Sequence, residues 1–126
     1  MHHFNKVLLV DDDEATNFLA ALAIKNLNIA NEIKVAEDGL IACEWIKHHN
    51  CPDIIFLDIR MPRMDGFDFL ENLSAMNACK NVKVVMLTSS CRSEDKTKAL
   101  SYKWVVEYFE KPLTEEMIQK IAAMHF

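Results

Sequence analysis

The chain has 126 residues, a formal net charge of -5, 51% hydrophobic and 26% charged residues. That length fits one domain, and that apolar share is enough for a core, so a disordered chain is excluded. The acidic balance, with no basic cluster to neutralise phosphates, argues against nucleic-acid binding.

The first apolar run, Val7 to Val10, is short and rich in valine, as a strand buried on both faces should be. Before it, Met1-His2-His3-Phe4-Asn5-Lys6 lacks the long apolar stretch of a signal peptide. No run reaches the roughly 20 apolar residues of a membrane span, and a cytoplasmic location is expected. Ala15, Phe18, Leu19, Leu22, Ala23 and Leu27 then recur at helical spacing. A weaker strand follows at Ile33 to Ala36. Leu40, Ile41, Cys43 and Trp45 mark a second helix, which ends near His48, His49 and Cys51. That trio reads as the exposed polar end of a helix rather than a metal cluster.

Ile54 to Leu57 predicts a third strand, and Phe67, Phe69, Leu70 and Leu73 the helix after it. Val82 to Leu87 predicts the fourth strand. A short polar helix fits Glu94 to Ser101, with Ser93 as its N-cap. Val105 to Phe109 predicts the fifth strand. The last helix runs from about Thr114 to the end, with Met117, Ile118, Ile121 and Ala122 facing inward. Cys43, Cys51, Cys79 and Cys91 form no C-x-x-C pair. In a reducing compartment the expectation is four free thiols.

Five strands alternating with five helices imply a parallel sheet with right-handed crossovers and helices on both faces. Ligands of such folds sit beyond the carboxyl ends of the strands. The residues there are Asp11-Asp12-Asp13-Glu14 after the first strand, Asp58 after the third, Thr88-Ser89-Ser90 after the fourth and Glu110-Lys111-Pro112 after the fifth. Crowded carboxylates repel one another, so the site wants a cation. Oxygen ligands suit Mg²⁺ or Mn²⁺, which leaves room for phosphate oxygens. A lysine can pair with an anion, and a threonine hydroxyl can bond a phosphoryl oxygen. Positioning and charge neutralisation are most of what phosphoryl transfer asks of a protein. A carboxylate can be the nucleophile, giving an aspartyl-phosphate. Singly, each feature also has a plain structural reading, with Asp13 or Glu14 capping the next helix.

Val-Asp-Asp-Asp after the first strand, Asp58-Ile-Arg-Met-Pro-Arg-Met-Asp-Gly66, Leu-Thr-Ser-Ser and Tyr-Phe-Glu-Lys-Pro-Leu resemble the receiver domains of two-component response regulators, stand-alone chemotaxis-Y-like ones in particular. The resemblance covers essentially the whole chain. It implies a single receiver domain over residues 1–126, with a flavodoxin-like doubly wound five-stranded parallel sheet in the order 2-1-3-4-5 and five helices. It implies a phosphoacceptor, Asp58, and Mg²⁺ held by Asp11, Asp12, Asp58 and the backbone carbonyl of Arg60. Thr88 would bond the phosphoryl group, Lys111 would pair with it, and Tyr108 is the switch aromatic. The donor would be a histidine kinase or a histidine phosphotransfer protein. The output partner would read the face made by the fourth helix, fifth strand and fifth helix, where Trp104 also lies.

Such a domain is a phosphoacceptor rather than an enzyme, although it supports its own dephosphorylation. The Lys111–Pro112 bond is expected to be cis. One departure stands out: Lys103-Trp104-Val105 replaces the family's Ala-Gly-Ala, so that turn must be built differently. As in stand-alone receivers, no output domain is expected after the last helix. The rival readings are a phosphorylation-independent pseudo-receiver and a haloacid-dehalogenase-type phosphatase. The latter needs Thr or Val where this chain has Ala15.

Overall fold

The computed structural model describes residues 4–49, 51–76, 79–90 and 92–126; His2, His3 and Cys91 lie outside them. Strands and helices alternate throughout: β1 (Phe4–Val10), α1 (Glu14–Asn26), β2 (Ala30–Ala36), α2 (Gly39–His48), β3 (Ile54–Leu57), α3 (Gly66–Met76), β4 (Lys83–Thr88), α4 (Ser93–Leu100), β5 (Val105–Glu110) and α5 (Glu115–His125). The strands form one sheet in the order β2-β1-β3-β4-β5, every pair parallel. Both the order and the helix count match the expectation.

Alternate residues of each strand face opposite sides of the sheet, and the core divides accordingly. Leu8, Val10, Ile55, Leu57, Val84 and Met86 pack against α2, α3 and α4. Val7, Leu9, Ile54, Phe56, Val85 and Leu87 pack against α1 and α5. β3 is central and buried at all of its positions, which fixes the residue at its end, Asp58. Its amide donates to the Val10 carbonyl at 3.0 Å, while the Asp11 amide donates to Ala36 at 3.1 Å. The ladder thus holds both acids by their own backbones.

The predicted apolar stripe of α1 is corrected. Phe18, Leu19 and Leu22 are 66%, 50% and 43% exposed; the buried face is Asn17, Ala20, Ala23 and Ile24. Small residues let the helix approach the sheet closely, and the large ones point away. Leu40 and Ile41 of α2 are likewise exposed, and Ala42, Cys43, Trp45 and Ile46 are buried. Ser93 is the first residue of α4 rather than its N-cap; Arg92 occupies the cap without a side-chain bond. Asp13 does cap α1, accepting from the Ala15 amide.

The turn before β5 works without glycine. The Tyr102 amide donates to Ala99 and the Val105 amide to Tyr102, and the register with β4 shifts between Val84 and Val85. The only positive φ angles among the described residues are at Asn28 and Arg63, so no left-handed residue is needed in that turn.

The expectation of four free thiols is also corrected. Cys51 and Cys79 form a disulfide with Cα atoms 5.7 Å apart. They precede the neighbouring parallel strands β3 and β4, so the topology brings together residues 28 positions apart. Nothing in the local sequence pattern could signal that pairing. Cys43 remains a free, buried thiol.

His48 and His49 behave as a helix end. The His49 ring stacks on Trp45 and its Nδ1 lies 2.8 Å from the Trp45 carbonyl.

Candidate functional site at the carboxyl edge of the sheet

The acids and the lysine predicted from the strand ends meet at one edge. Carboxylate oxygens of Asp11, Asp12 and Asp58 lie within 4.8 Å of one another. Lys111 Nζ lies 2.8 Å from Asp11 Oδ2 and 3.1 Å from Asp58 Oδ2. Asp11 and Asp58 are buried, whereas Asp12 is exposed at the mouth.

Each group is positioned by its backbone. The Ile59 amide donates to Asp58 Oδ1 at 2.8 Å, which leaves Oδ2 turned toward Lys111. The Asp13 amide donates to Asp11 Oδ1 at 2.9 Å. Asn17 Nδ2 donates to the Asp11 carbonyl at 2.8 Å from the inner face of α1. The Lys111 amide donates to the Thr88 carbonyl at 3.0 Å, tying the ends of β4 and β5. The Lys111–Pro112 bond is cis, as expected.

Gly66 opens α3 directly under Asp58. A Cβ there would lie 2.3 Å from the Asp58 carbonyl oxygen, so only glycine permits this approach. Its amide donates to the Ile59 carbonyl at 2.8 Å, closing the β3–α3 loop.

Burial raises the Asp11 pKa, and the neighbouring Asp58 charge adds to that; the Lys111 ammonium and the Asp13 amide oppose it without cancelling it. Burial pulls the Lys111 pKa down, but its two carboxylate partners outweigh that and leave it raised. The site therefore holds more negative charge than one lysine neutralises. Asp11 Oδ2 is a buried oxygen whose partner is the Lys111 ammonium, 2.8 Å away. Three carboxylates this close together, with one lysine between two of them, suit a hard divalent cation.

Thr88 ends β4 fully buried. Its Oγ1 accepts from the Ser90 amide at 3.2 Å. Tyr108 lies on β5 opposite Met86, half-buried, and its hydroxyl donates to the Ser90 carbonyl at 3.0 Å. The Arg60 side chain leans away from the acids toward α4, with its guanidinium 3.7 Å from Asp95. Asp95 is buried and also accepts from Ser90 Oγ at 2.7 Å.

Three supporting residues escaped the sequence reading. Asn17 looked like any polar helix residue; its place on the inner face of α1 is the signal that could have found it. Asp95 on a polar helix gave no sign of burial. Asp38 caps α2 through the Ile41 amide and binds Arg63 Nε at 2.8 Å, pinning the β3–α3 loop to the neighbouring helix. Burial opposes ionisation of Asp38, yet the Ile41 amide and Arg63 outweigh it and hold its pKa low.

The family described as response regulator receiver domain matches residues 7–123. A two-component response regulator from Cytophaga hutchinsonii superposes with a TM-score of 0.89 at 28% identity, over 95% of each chain. The chemotaxis protein CheY4 of Vibrio cholerae does so at 0.82, covering 97% of this chain and 98% of that one; at 24% identity it speaks for the fold alone.

Among curated proteins, a protein-glutamate methylesterase/protein-glutamine glutaminase of Paraburkholderia xenovorans is 43% identical over 83 residues, which is 66% of this chain but 23% of the relative. The chain thus spans about a quarter of that relative's length. The probable methanogenesis regulatory protein FilR2 of Methanothrix harundinacea is 29% identical over 119 residues, 90% of this chain and 76% of the relative. The acid cluster, the lysine opposite it and the match over nearly the whole chain agree: this chain belongs to the response regulator receiver domain family, whose members work in two-component signalling.

Proposed function

We propose that this receiver accepts a phosphoryl group on Asp58 and signals through that modification. The observation that carries the reading is the placement of Lys111 Nζ 3.1 Å from Asp58 Oδ2, while Oδ1 is held by the Ile59 amide. Oδ2 is then the nucleophile, and the lysine is poised to follow the charge onto the phosphoryl oxygens. Attack forms the Oδ2–P bond and breaks the bond from phosphorus to the donor, whose electron pair leaves with it. A divalent ion, Mg²⁺ or Mn²⁺, would be held by Asp11, Asp12, Asp58 and the Arg60 carbonyl, and supplies charge neutralisation and in-line orientation when bound. Thr88 offers a hydroxyl to a phosphoryl oxygen from the adjacent strand end.

The donor we infer is a phosphohistidine on a kinase or phosphotransfer protein in the cytoplasm. Phe18, Leu19 and Leu22 form an exposed apolar face on the helix that begins beside Asp12. A groove of about 350 Å³ joins Phe18 and Val35 to Asp12 and Glu37 at the pocket mouth. A donor helix laid there brings its histidine to Asp58. The output partner reads the α4, β5 and α5 face, which Tyr108 borders. The phosphoacceptor role is stoichiometric, so no multiple-turnover enzyme activity is expected.

Incubation with acetyl phosphate and Mg²⁺ should add one acid-stable, base-labile phosphoryl group, and Asp58→Asn should abolish it. Labelling that survives in Asp58→Asn, or no labelling of the wild type with metal present, refutes the assignment; the second result restores the pseudo-receiver reading.

A further inference from the structure

The edge of the sheet opposite the acid pocket carries its own chemistry. Cys51 and Cys79 are joined across the loops that enter β3 and β4. Both line a cavity of about 420 Å³ whose walls include Asp53, Lys80, Asn81 and Phe126. The two residues differ in exposure: Cys79 is 4% exposed, while Cys51 is half-buried. The bond closes a ring spanning 28 residues that contains β3, Asp58 and all of α3. The other described thiol, Cys43, is buried in the core, and burial pushes its pKa up, so it is protonated and inert to exchange.

In reducing compartments protein disulfides are rare, and those present are mostly transient or redox-sensing. A bond whose two cysteines line an open cavity, one of them only half-buried, offers a route for exchange. We propose that Cys51–Cys79 is a redox modification site, opened and closed in the folded protein by thiol–disulfide exchange with a dithiol that enters through this cavity and attacks Cys51.

The attacking thiolate forms a bond to Cys51 Sγ, and the Cys51–Cys79 bond breaks with its electron pair leaving on Cys79 Sγ. Lys80, which lines the same cavity, supplies positive charge beside the departing thiolate. The second thiol of the same donor then attacks the donor's own sulfur and releases Cys51. Two electrons and two protons pass to the protein, and the dithiol becomes a cyclic or intramolecular disulfide. The reverse reaction uses that disulfide as oxidant. Opening the ring removes the covalent tie between Cys51 and Cys79, while β3 stays held between β1 and β4.

The test uses the full chain carrying Cys91→Ser, equilibrated natively in graded mixtures of reduced and oxidised dithiothreitol. Samples are acid-quenched, alkylated and mapped by mass spectrometry. A peptide bridging Cys51 and Cys79 should appear and disappear reversibly with the ratio while the circular dichroism stays native. Reduction should lower the melting midpoint by on the order of 10 °C, from the released loop entropy. Cys51→Ser and Cys79→Ser should each remove that dependence. On native protein, maleimide should label Cys51 in Cys79→Ser at least roughly tenfold faster than Cys79 in Cys51→Ser. A bridge that never forms, that forms or opens only after unfolding in guanidinium, or equal labelling of the two thiols, overturns the proposal.

Discussion

The hydroxyl of Tyr108 donates to the backbone carbonyl of Ser90 at 3.0 Å, which ties the middle of β5 to the loop that leaves the acid pocket. The same Ser90 donates its amide to Thr88 Oγ1 and its hydroxyl to Asp95 of α4. One residue thus joins the buried threonine, the aromatic and α4.

This arrangement makes the switch testable. A phosphoryl group on Asp58 gives the Thr88 hydroxyl a new acceptor, and drawing it inward pulls on Ser90. The Tyr108 bond should break, and the ring should turn from half-buried to buried. A ligand shifts such an equilibrium only by its differential binding energy, so the shift need not be fully one-sided even when Asp58 is fully occupied. Structures with and without beryllofluoride read the outcome directly. In Thr88→Ala, beryllofluoride should leave Tyr108 where it is. Superposition of Tyr108 and the Ser90 loop in both wild-type states would place the output elsewhere.

The metal expectation follows from Asp11. Its pKa is raised, by burial first, so its ionisation opposes folding; the contribution favouring the metal-free fold is present in acid and lost as pH rises through the raised value. Asp11→Asn should therefore raise the melting midpoint of the metal-free protein at neutral pH. In the wild type, Mg²⁺ at a hundredfold excess over its Kd should add about 2.7 kcal/mol of stability. Chelation should reverse this gain, and Asp11→Asn should lack most of it. Thermal melts with and without Mg²⁺ check both arms.

Gly66→Ala should be costly for so small a change. Its Cβ would meet the Asp58 carbonyl oxygen and the Ile59 Cα at 2.3 and 2.9 Å. Both are backbone atoms that cannot rotate away. Overpacking of this kind costs about 1–3 kcal/mol, and the shift it forces moves Asp58 itself. Urea melts should show the loss, and acetyl phosphate labelling should slow beyond what the reduced folded fraction explains.

Tyr102 offers a pH signature remote from the pocket. Its hydroxyl donates to Glu71 at 2.6 Å, and that bond, ahead of burial, pushes its pKa up to about 12 from 10.0. The native state keeps this proton after the unfolded chain has lost it. The stabilisation is complete below pH 10, the unfolded value, and is lost as pH rises through the folded value of about 12. Tyr102→Phe should cost about 1 kcal/mol near neutrality. Wild type should lose stability more steeply than the variant between those two pH values. Parallel slopes in denaturant titrations would mean that the Glu71 bond does not persist in solution.

The sequence alone determined the sheet and the pocket. Short apolar runs such as Ile54 to Leu57 read as buried strands because residues flanked by helices on both faces need no polar alternation. Strand ends then placed Asp11, Asp12, Asp58, Thr88 and Lys111 at one edge, since every strand of a parallel sheet points the same way. Those inferences rest on local pattern and chain direction, which a linear string carries in full.

What only the tertiary structure decided depends on distance in space. Phe18, Leu19 and Leu22 have helical spacing, but spacing cannot tell which side of α1 meets the sheet; close approach selected the small face of Ala20 and Ala23. Arg60 turns toward Asp95, a partner far along the chain on α4. Cys51 meets Cys79 because β3 and β4 are neighbours, a fact of topology rather than of motif. In each case the deciding contact joins elements that packing brings together, and no window of the sequence contains both partners' surroundings.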